Sequence, residues 1–177
     1  MRIGTVGCAA LVLWLGLSGS TAAQAKPLPS PRDSVKATIG GATVEVNYGR
    51  PFKKGRLVVG VGGLIPYDQI WRTGANEATS FVTSGTLMMG RLMVPPGKYT
   101  LYTLASKSGW KLIVNKQTGQ WGTEYKPEMD LGRVDLQVES LPAVVEQFTI
   151  KVVPTGSTGQ IRLEWDKTAA SVSFMVH

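Results

Sequence analysis

Short segments in which apolar and polar residues alternate recur through the second half of the chain. They are KYTLYTLA (98–105), WKLIVNK (110–116), RVDLQVE (133–139), QFTIKVV (147–153), IRLEWD (161–166) and SVSFMV (171–176). Alternation with a period of two places the apolar side chains on one face of a β-strand, and Gly, Pro, Ser or Asp residues bound the segments. No window has a helical period. The pattern predicts an all-β fold, an antiparallel β-sandwich of nine or ten strands, for which a jelly roll is one arrangement.

The start of the domain has the same alternation on both sides of a glycine pair. Apolar residues alternate over residues 35–39 and again over 44–48, with Gly40 and Gly41 between them. Two glycines supply the positive φ angles that a two-residue hairpin turn requires. The sequence therefore predicts a β-hairpin here.

The N-terminal residues indicate export. Arg2 gives a basic start, the apolar run 8–17 is too short to cross a bilayer as a helix, and an A-x-A site occupies 23–25. We expect a secretory signal peptide at residues 1–25, cut after Ala25 or, alternatively, after Ala23; a retained membrane anchor is the other interpretation. Residues 26–33 then form a proline-rich linker, and residues 34–177 form one domain.

The predicted signal peptide indicates where the protein acts, and the positions of its Cys and His residues limit the kinds of catalytic and metal site it can have. A signal peptide predicts a periplasmic or extracellular protein of a Gram-negative-type bacterium, with no transmembrane segment after cleavage. The single cysteine, Cys8, would leave with the signal peptide, and the single histidine is His177. We therefore expect no thiol nucleophile, no Ser-His-Asp triad, no Cys/His metal site and no cofactor.

The charge does not indicate nucleic-acid binding. The chain has 19 Lys and Arg residues against 12 Asp and Glu residues, a net charge of +7, but the basic residues are scattered. Nucleic-acid-binding domains concentrate them in patches with interleaved aromatic residues. We expect no nucleic-acid partner.

Two irregular segments, 49–80 and 116–132, interrupt the alternation and are rich in glycine, polar and aromatic residues. Loops on a rigid β-scaffold commonly carry binding residues. The candidate ligand-binding residues are Tyr48, Arg50, Lys54, Trp71, Arg72, Asn76, Glu77 and Trp121. A mixture of aromatic and polar groups suits a glycan or another small molecule.

Residues 70–80, IWRTGANEATS, predict a strand, a tight corner and a second strand, with Asn76 suited to a left-handed conformation. Two interpretations remain open. In a ligand pocket, Trp71 would be a stacking floor, Arg72 would hold an anion or carboxylate, and Asn76 and Glu77 would bind a ligand by hydrogen bonds. In a structural corner, Arg72 would instead pair with Glu77 while Trp71 packs in the core.

Carboxylates allow an enzymatic alternative. Glycoside hydrolysis needs two of them across a cleft, and Asp68 and Glu77, with Glu124 or Asp130, are available. Nearby basic residues favour ion pairing over general acid catalysis. The leading interpretation is thus a non-enzymatic binding or envelope-associated module without assigned catalytic residues. A carboxylate-dependent hydrolase acting on glycans and a purely structural subunit are the alternatives.

Several strings together carry a family resemblance: SPR (30–32), YGRP (48–51), KGR (54–56), LIPYDQIWRTGANEAT (64–79), PPGKYTLYTL (95–104) and WKLIVNK (110–116). With them the chain resembles the DUF2911 family, exported bacterial proteins without an assigned function, from about residue 30 to about residue 153. The resemblance implies an exported all-β domain and implies no reaction.

Overall fold

The computed structural model describes residues 30–177 of the chain. The predicted signal peptide, residues 1–25, and the first part of the predicted linker, residues 26–29, lie outside the described residues. The first strand begins at Arg32, so the last two residues of the predicted linker, 26–33, belong to the sheet.

Ten β-strands and one short 3-10 helix, Pro127–Met129, make up the regular structure. The strands are β1 (Arg32–Ile39), β2 (Ala42–Gly49), β3 (Ile70–Trp71), β4 (Thr79–Thr83), β5 (Leu87–Met89), β6 (Leu92–Val94), β7 (Gly97–Ser106), β8 (Gly109–Asn115), β9 (Asp130–Thr155) and β10 (Thr158–Val176). Within residues 30–177, no helix has the length and hydrophobicity that crossing a membrane requires.

The strands form one continuous antiparallel sheet in the order β1-β2-β4-β7-β8-β9-β10-β5-β6, and β3 pairs with β7 outside this path. The all-β antiparallel prediction is confirmed. The predicted first hairpin is also confirmed, since Gly40 and Gly41 join β1 to β2 with φ angles of 55° and 82°. The β5–β6 hairpin is not predicted by the sequence pattern, because LMMGRLMV (87–94) lacks alternation.

The last third of the chain corrects the predicted strand boundaries. The segments 133–139 and 147–153 belong to the single 26-residue strand β9, and 161–166 and 171–176 belong to the 19-residue strand β10. β9 pairs first with β8 and then, from Gln137 onward, with β10. It is therefore shared by the two layers of the sandwich: β1, β2, β4, β7 and β8 precede it in the strand order, and β10, β5 and β6 follow it. The alternation lapses over 139–146, where most side chains are exposed.

Aromatic side chains from both layers meet in the core. The ring of Trp71 on β3 lies 4.9 Å from that of Phe148 on β9 and 5.9 Å from that of Trp165 on β10. Tyr48 on β2 contacts Phe148 edge to face at 5.7 Å. Such pairs add about 0.5–1.5 kcal/mol each beyond the burial of their apolar area. The cluster therefore joins the two layers beneath the irregular segment 49–80.

Candidate functional site

The strand–corner–strand prediction for residues 70–80 is confirmed. β3 ends at Trp71, β4 begins at Thr79, and between them Thr73 and Asn76 adopt left-handed conformations with φ of 51° and 64°. A positive φ is costly for a β-branched residue such as Thr73 and persists only where its surroundings enforce it. Here Thr79 Oγ1 donates a hydrogen bond of 2.8 Å to the Thr73 carbonyl. The corner is a tightly held local structure.

The two irregular segments lie side by side at this corner. The backbone N–H of Gly122 donates to the Asn76 carbonyl at 3.0 Å, and the N–H of Ala78 donates to the Gln120 carbonyl at 3.1 Å. Glu77 and Trp121 thereby become neighbours in an isolated antiparallel bridge. The fold thus brings together three of the predicted candidates, Asn76, Glu77 and Trp121.

The Arg72–Glu77 ion pair of the structural-corner interpretation is not formed. Glu77 instead pairs with Arg32 on β1, whose Nη1 lies 2.8 Å from Glu77 Oε2. The Arg32 guanidinium also donates to Asn47 Oδ1, from Nε at 2.8 Å and from Nη2 at 2.6 Å. A hydrogen bond from its own backbone and the contact with Arg32 lower the pKa of Glu77, which suits an ionised group better than a general acid.

Arg72 faces a pocket of about 300 Å³, here called the Arg72 pocket. Its other walls include the apolar residues Leu64, Pro66 and Ile70 and the hydroxyl-bearing residues Thr123 and Tyr125. Within the described part of the chain, the guanidinium makes one long hydrogen bond, from Nε to the Gly74 carbonyl at 3.4 Å. Arg72 is therefore part of an open pocket rather than of a staple.

A second and larger depression, here called the Gln120 groove, has a volume of about 540 Å³. Its walls carry charges of both signs, hydroxyls and an amide, from Arg32, Glu77, Ser80, Lys98, Thr100 and Gln120. Trp121, which follows directly in the sequence, is 47% exposed. The groove thus lies where the two irregular segments meet, combines polar groups with apolar surface, and is followed in the sequence by an exposed aromatic residue.

The hydrogen bonds around Gln120 fix the orientation of its amide. Nε2 donates to Thr100 Oγ1 at 3.2 Å and to the Tyr102 hydroxyl at 3.1 Å. Both hydroxyls use their own protons elsewhere, Thr100 on the Gln117 carbonyl at 2.8 Å and Tyr102 on the Glu124 carbonyl at 3.3 Å. Since each hydroxyl then accepts from Gln120, the amide nitrogen must face them and Oε1 must point away.

Two buried amide oxygens in this loop have no donor. Within residues 30–177, Gln117 Oε1 and Gln120 Oε1 are the buried side-chain atoms without a hydrogen-bond partner. A buried unsatisfied polar atom costs about 1–3 kcal/mol, and folded proteins contain few of them. Both lie in the four-residue turn 117–120 beside the groove, so a hydrogen-bond donor that reached this turn would satisfy them.

Tyr48 and Trp71 are accounted for by the core. The Tyr48 hydroxyl accepts from the backbone N–H of Ile150 at 2.9 Å, and burial raises its pKa. Trp71 is 8% exposed and packs in the aromatic cluster.

Arg50 and Lys54 contact β9 rather than the groove. Arg50 binds Asp33 at 2.9 Å, the Phe148 carbonyl at 3.1 Å and Thr149 Oγ1 at 2.9 Å. Lys54 has φ of 49°, and its backbone N–H donates to Glu146 Oε1 at 2.7 Å. Neither residue lines the Gln120 groove or the Arg72 pocket.

The carboxylates of the hydrolase alternative do not face one another in one pocket. Glu77 lines the Gln120 groove, whereas Asp68 lines a separate depression of about 340 Å³ with Lys111 and Asp135. Asp130 accepts from the Tyr125 hydroxyl at 2.7 Å and pairs with Arg133 at 3.0 Å. Glu124 is exposed. In the part of the chain that the structure describes, no group of three or more His, Cys, Asp or Glu side chains is placed to hold a metal ion.

Comparison with known families identifies the chain's relatives. The sequence profile described as "Protein of unknown function (DUF2911)" matches residues 30–174. The chain belongs to the DUF2911 family. No curated protein and no solved structure matches it.

The motifs that carry the DUF2911 resemblance meet at the corner. A Cβ on Gly49, from YGRP, would overlap the carbonyl oxygen of Ala75, from WRTGANEAT. Arg32, from SPR, pairs with Glu77 of the same corner string. The motifs therefore build one local structure from chain segments that are distant in sequence.

The sequence prediction missed Arg32, Lys98, Thr100 and Gln120, which line the groove. Arg32 had a signal, since it belongs to the SPR motif, but it lies in the predicted linker. Lys98 and Thr100 resemble ordinary residues of an alternating strand, and Gln120 has no distinctive sequence context.

Proposed function

We propose that this DUF2911 protein is a binding module that holds a hydroxyl-rich ligand of the saccharide class in the Gln120 groove. A role outside the cytoplasm, in the periplasm, the envelope or the medium, is part of the proposal and rests on the predicted signal peptide. The ligand's hydroxyls supply donors, and its apolar ring face lies against Trp121.

The observation that carries the proposal is the pair of donor-less amide oxygens of Gln117 and Gln120 next to the exposed Trp121. Both oxygens are acceptors, so the missing partner is a donor such as a hydroxyl. Thr118 and Gly119, between the two glutamines, are exposed and line the groove, so a ligand in the groove meets the turn from its outer side.

The other groove residues suit the same ligand. The Arg32–Glu77 pair offers a donor and an acceptor side by side, and Ser80 and Thr100 add hydroxyls. Binding sites commonly combine a few such placed polar groups with an aromatic surface. Trp121 supplies that surface at low conformational cost, because its side chain has two rotatable bonds.

A thermal-shift and calorimetric screen of the full chain against neutral oligosaccharides, such as malto-, cello-, xylo- and chito-oligosaccharides, tests the proposal. At least one should raise the melting temperature of the wild type, since a ligand that binds the native state stabilises it. Trp121→Ala should weaken that binding on the order of tenfold, equivalent to about 1.4 kcal/mol of lost contact.

Leu57→Ala is the matched control, because Leu57 is also exposed and lines neither pocket. It should bind as the wild type does. The groove is not a saccharide site if no oligosaccharide stabilises the protein, or if Trp121→Ala binds as tightly as Leu57→Ala. Either result would favour the interpretation of the protein as a structural subunit.

A further inference from the structure

Arg72 differs from the other half-buried arginines of residues 30–177. Arg32 pairs with Glu77, Arg50 with Asp33, and Arg162 with Glu139 and Glu164. Arg72 has no carboxylate within ion-pair distance in this part of the chain. The described part holds all 12 Asp and Glu residues of the sequence, so residues 1–29 provide no acidic side chain for it.

Most of the Arg72 donors are free. Nε reaches the Gly74 carbonyl at 3.4 Å, and among the described residues neither Nη1 nor Nη2 has an acceptor. A guanidinium presents its N–H groups as a planar fork that matches the two oxygens of a carboxylate. The free N–H groups of Arg72 are therefore available to a carboxylate that enters the pocket.

The aliphatic stem of Arg72 is packed against the backbone of the neighbouring loop. A Cβ on Gly122 would lie 2.5 Å from Arg72 Cδ and 2.6 Å from the Asn76 carbonyl oxygen. The stem of Arg72 therefore packs directly on the Gly122 backbone, where only a glycine leaves room. A side chain whose stem is packed in this way loses less freedom on binding, which favours affinity.

The walls around the guanidinium define the rest of the ligand. Leu64, Pro66 and Ile70 give the pocket apolar sides. Tyr125 also lines it, but its hydroxyl is already engaged with Asp130 at 2.7 Å and with Arg133 at 2.8 Å. Among residues 30–177, Arg72 is the one cationic side chain on the pocket wall, which suits a singly charged anion better than a dianion such as phosphate.

We propose that the Arg72 pocket binds the carboxylate of a small ligand whose body is apolar. The two carboxylate oxygens accept from the Arg72 fork, and the body lies against Leu64, Pro66 and Ile70. A volume of about 300 Å³ fits a small molecule, at the lower end of ligand pockets. The site shares no lining residue with the Gln120 groove and does not depend on it.

An NMR titration of the isotopically labelled full chain with hexanoate, hexanamide, acetate and inorganic phosphate tests this inference. Hexanoate should bind saturably and on the order of tenfold more tightly than hexanamide, which lacks the charge. Acetate, which lacks the apolar body, and phosphate should bind more weakly than hexanoate. Arg72→Gln should lose about tenfold in hexanoate affinity, the size of a charged hydrogen-bond contribution.

Arg91→Gln is the control, because Arg91 is exposed and lies outside this pocket; it should bind as the wild type does. Thr123→Trp places a large side chain in the pocket from an exposed position and keeps Arg72, so it should also lose hexanoate binding. It is the second test variant, used if Arg72→Gln does not fold. The inference would be overturned if Thr123→Trp or a folded Arg72→Gln bound hexanoate as tightly as the wild type does. It would also be overturned if the wild type bound hexanamide as tightly as hexanoate. Phosphate binding as tight as hexanoate binding would overturn the carboxylate class.

Discussion

Asn76 shows how one side chain fits both the backbone and the packing of the corner. Its φ of 64° is left-handed, and its Nδ2 donates to the Ser30 carbonyl at 3.2 Å. Asparagine tolerates this conformation better than most residues other than glycine. The identity of this residue therefore indicates the local geometry even in an isolated sequence.

Asn76→Ala should lower the free energy of unfolding by about 1–2 kcal/mol, because alanine is strained in the left-handed region. Asn76→Gly should lower the free energy of unfolding much less, since glycine adopts a positive φ without strain. Urea denaturation followed by circular dichroism measures both. Equal losses for the two variants would show that the backbone conformation does not limit this position.

Tyr125 gives a pH test of the local hydrogen bonds. Burial and the hydrogen bond to Asp130 raise its pKa from 10.0 to about 12. The folded state then holds the phenolic proton more tightly than the unfolded state does. The associated stability is complete below about pH 10 and is lost as the pH rises toward about 12.

The stability difference between wild type and Tyr125→Phe should accordingly shrink between about pH 10 and 12, since phenylalanine has no proton to lose. Denaturation at several pH values measures this difference. An ultraviolet titration of Asp130→Asn should show Tyr125 ionising at lower pH, because the charge that opposes tyrosinate is removed. A stability difference that is constant with pH would contradict the shift.

At the scale of elements, the predictable features are those decided locally. The Gly40-Gly41 turn sets the first hairpin, and alternation reveals β7 and β8. The length of β9 is not visible in the sequence, because its residues 139–146 leave the core and lose the alternation. The ion-pair partner of Glu77 is equally unpredictable from the sequence, since Arg32 lies 45 residues away and comes close to Glu77 only when β1 joins the sheet.

Arg50 connects two strands, β1 and β9, that are not neighbours in the sheet. Its guanidinium joins Asp33 on β1 to the Phe148 carbonyl and Thr149 on β9. Arg50→Met keeps much of the stem but removes these charged hydrogen bonds, so it should cost about 1.5–3 kcal/mol of stability. Urea denaturation measures the loss.

Lys36→Met is the comparison for Arg50→Met. Lys36 forms an exposed pair with Glu45 at 3.6 Å, and such pairs contribute about 0–1 kcal/mol. A loss in Arg50→Met no larger than that in Lys36→Met would show that the two layers do not depend on this connection.

At the scale of the whole molecule, the fold separates aromatic residues that look alike in the sequence. Trp71, Trp110 and Trp165 are buried between the layers, whereas Trp121 is exposed beside the Gln120 groove. Sequence analysis selects Trp71 and Trp121 together, because both stand in irregular segments. Only the packing of the two layers distinguishes a core residue from a candidate binding residue, so the class of fold is predictable and the groove is not.

An NMR titration of the labelled full chain with the oligosaccharide that most raises its melting temperature tests the groove most directly. The account predicts saturable shifts of the Trp121 indole and of the Gln117 and Gln120 side-chain amides, while the indole signals of Trp110 and Trp165 stay in place. Saturable binding that leaves the Trp121 and glutamine signals unmoved, or the absence of saturable binding by any oligosaccharide, would contradict it.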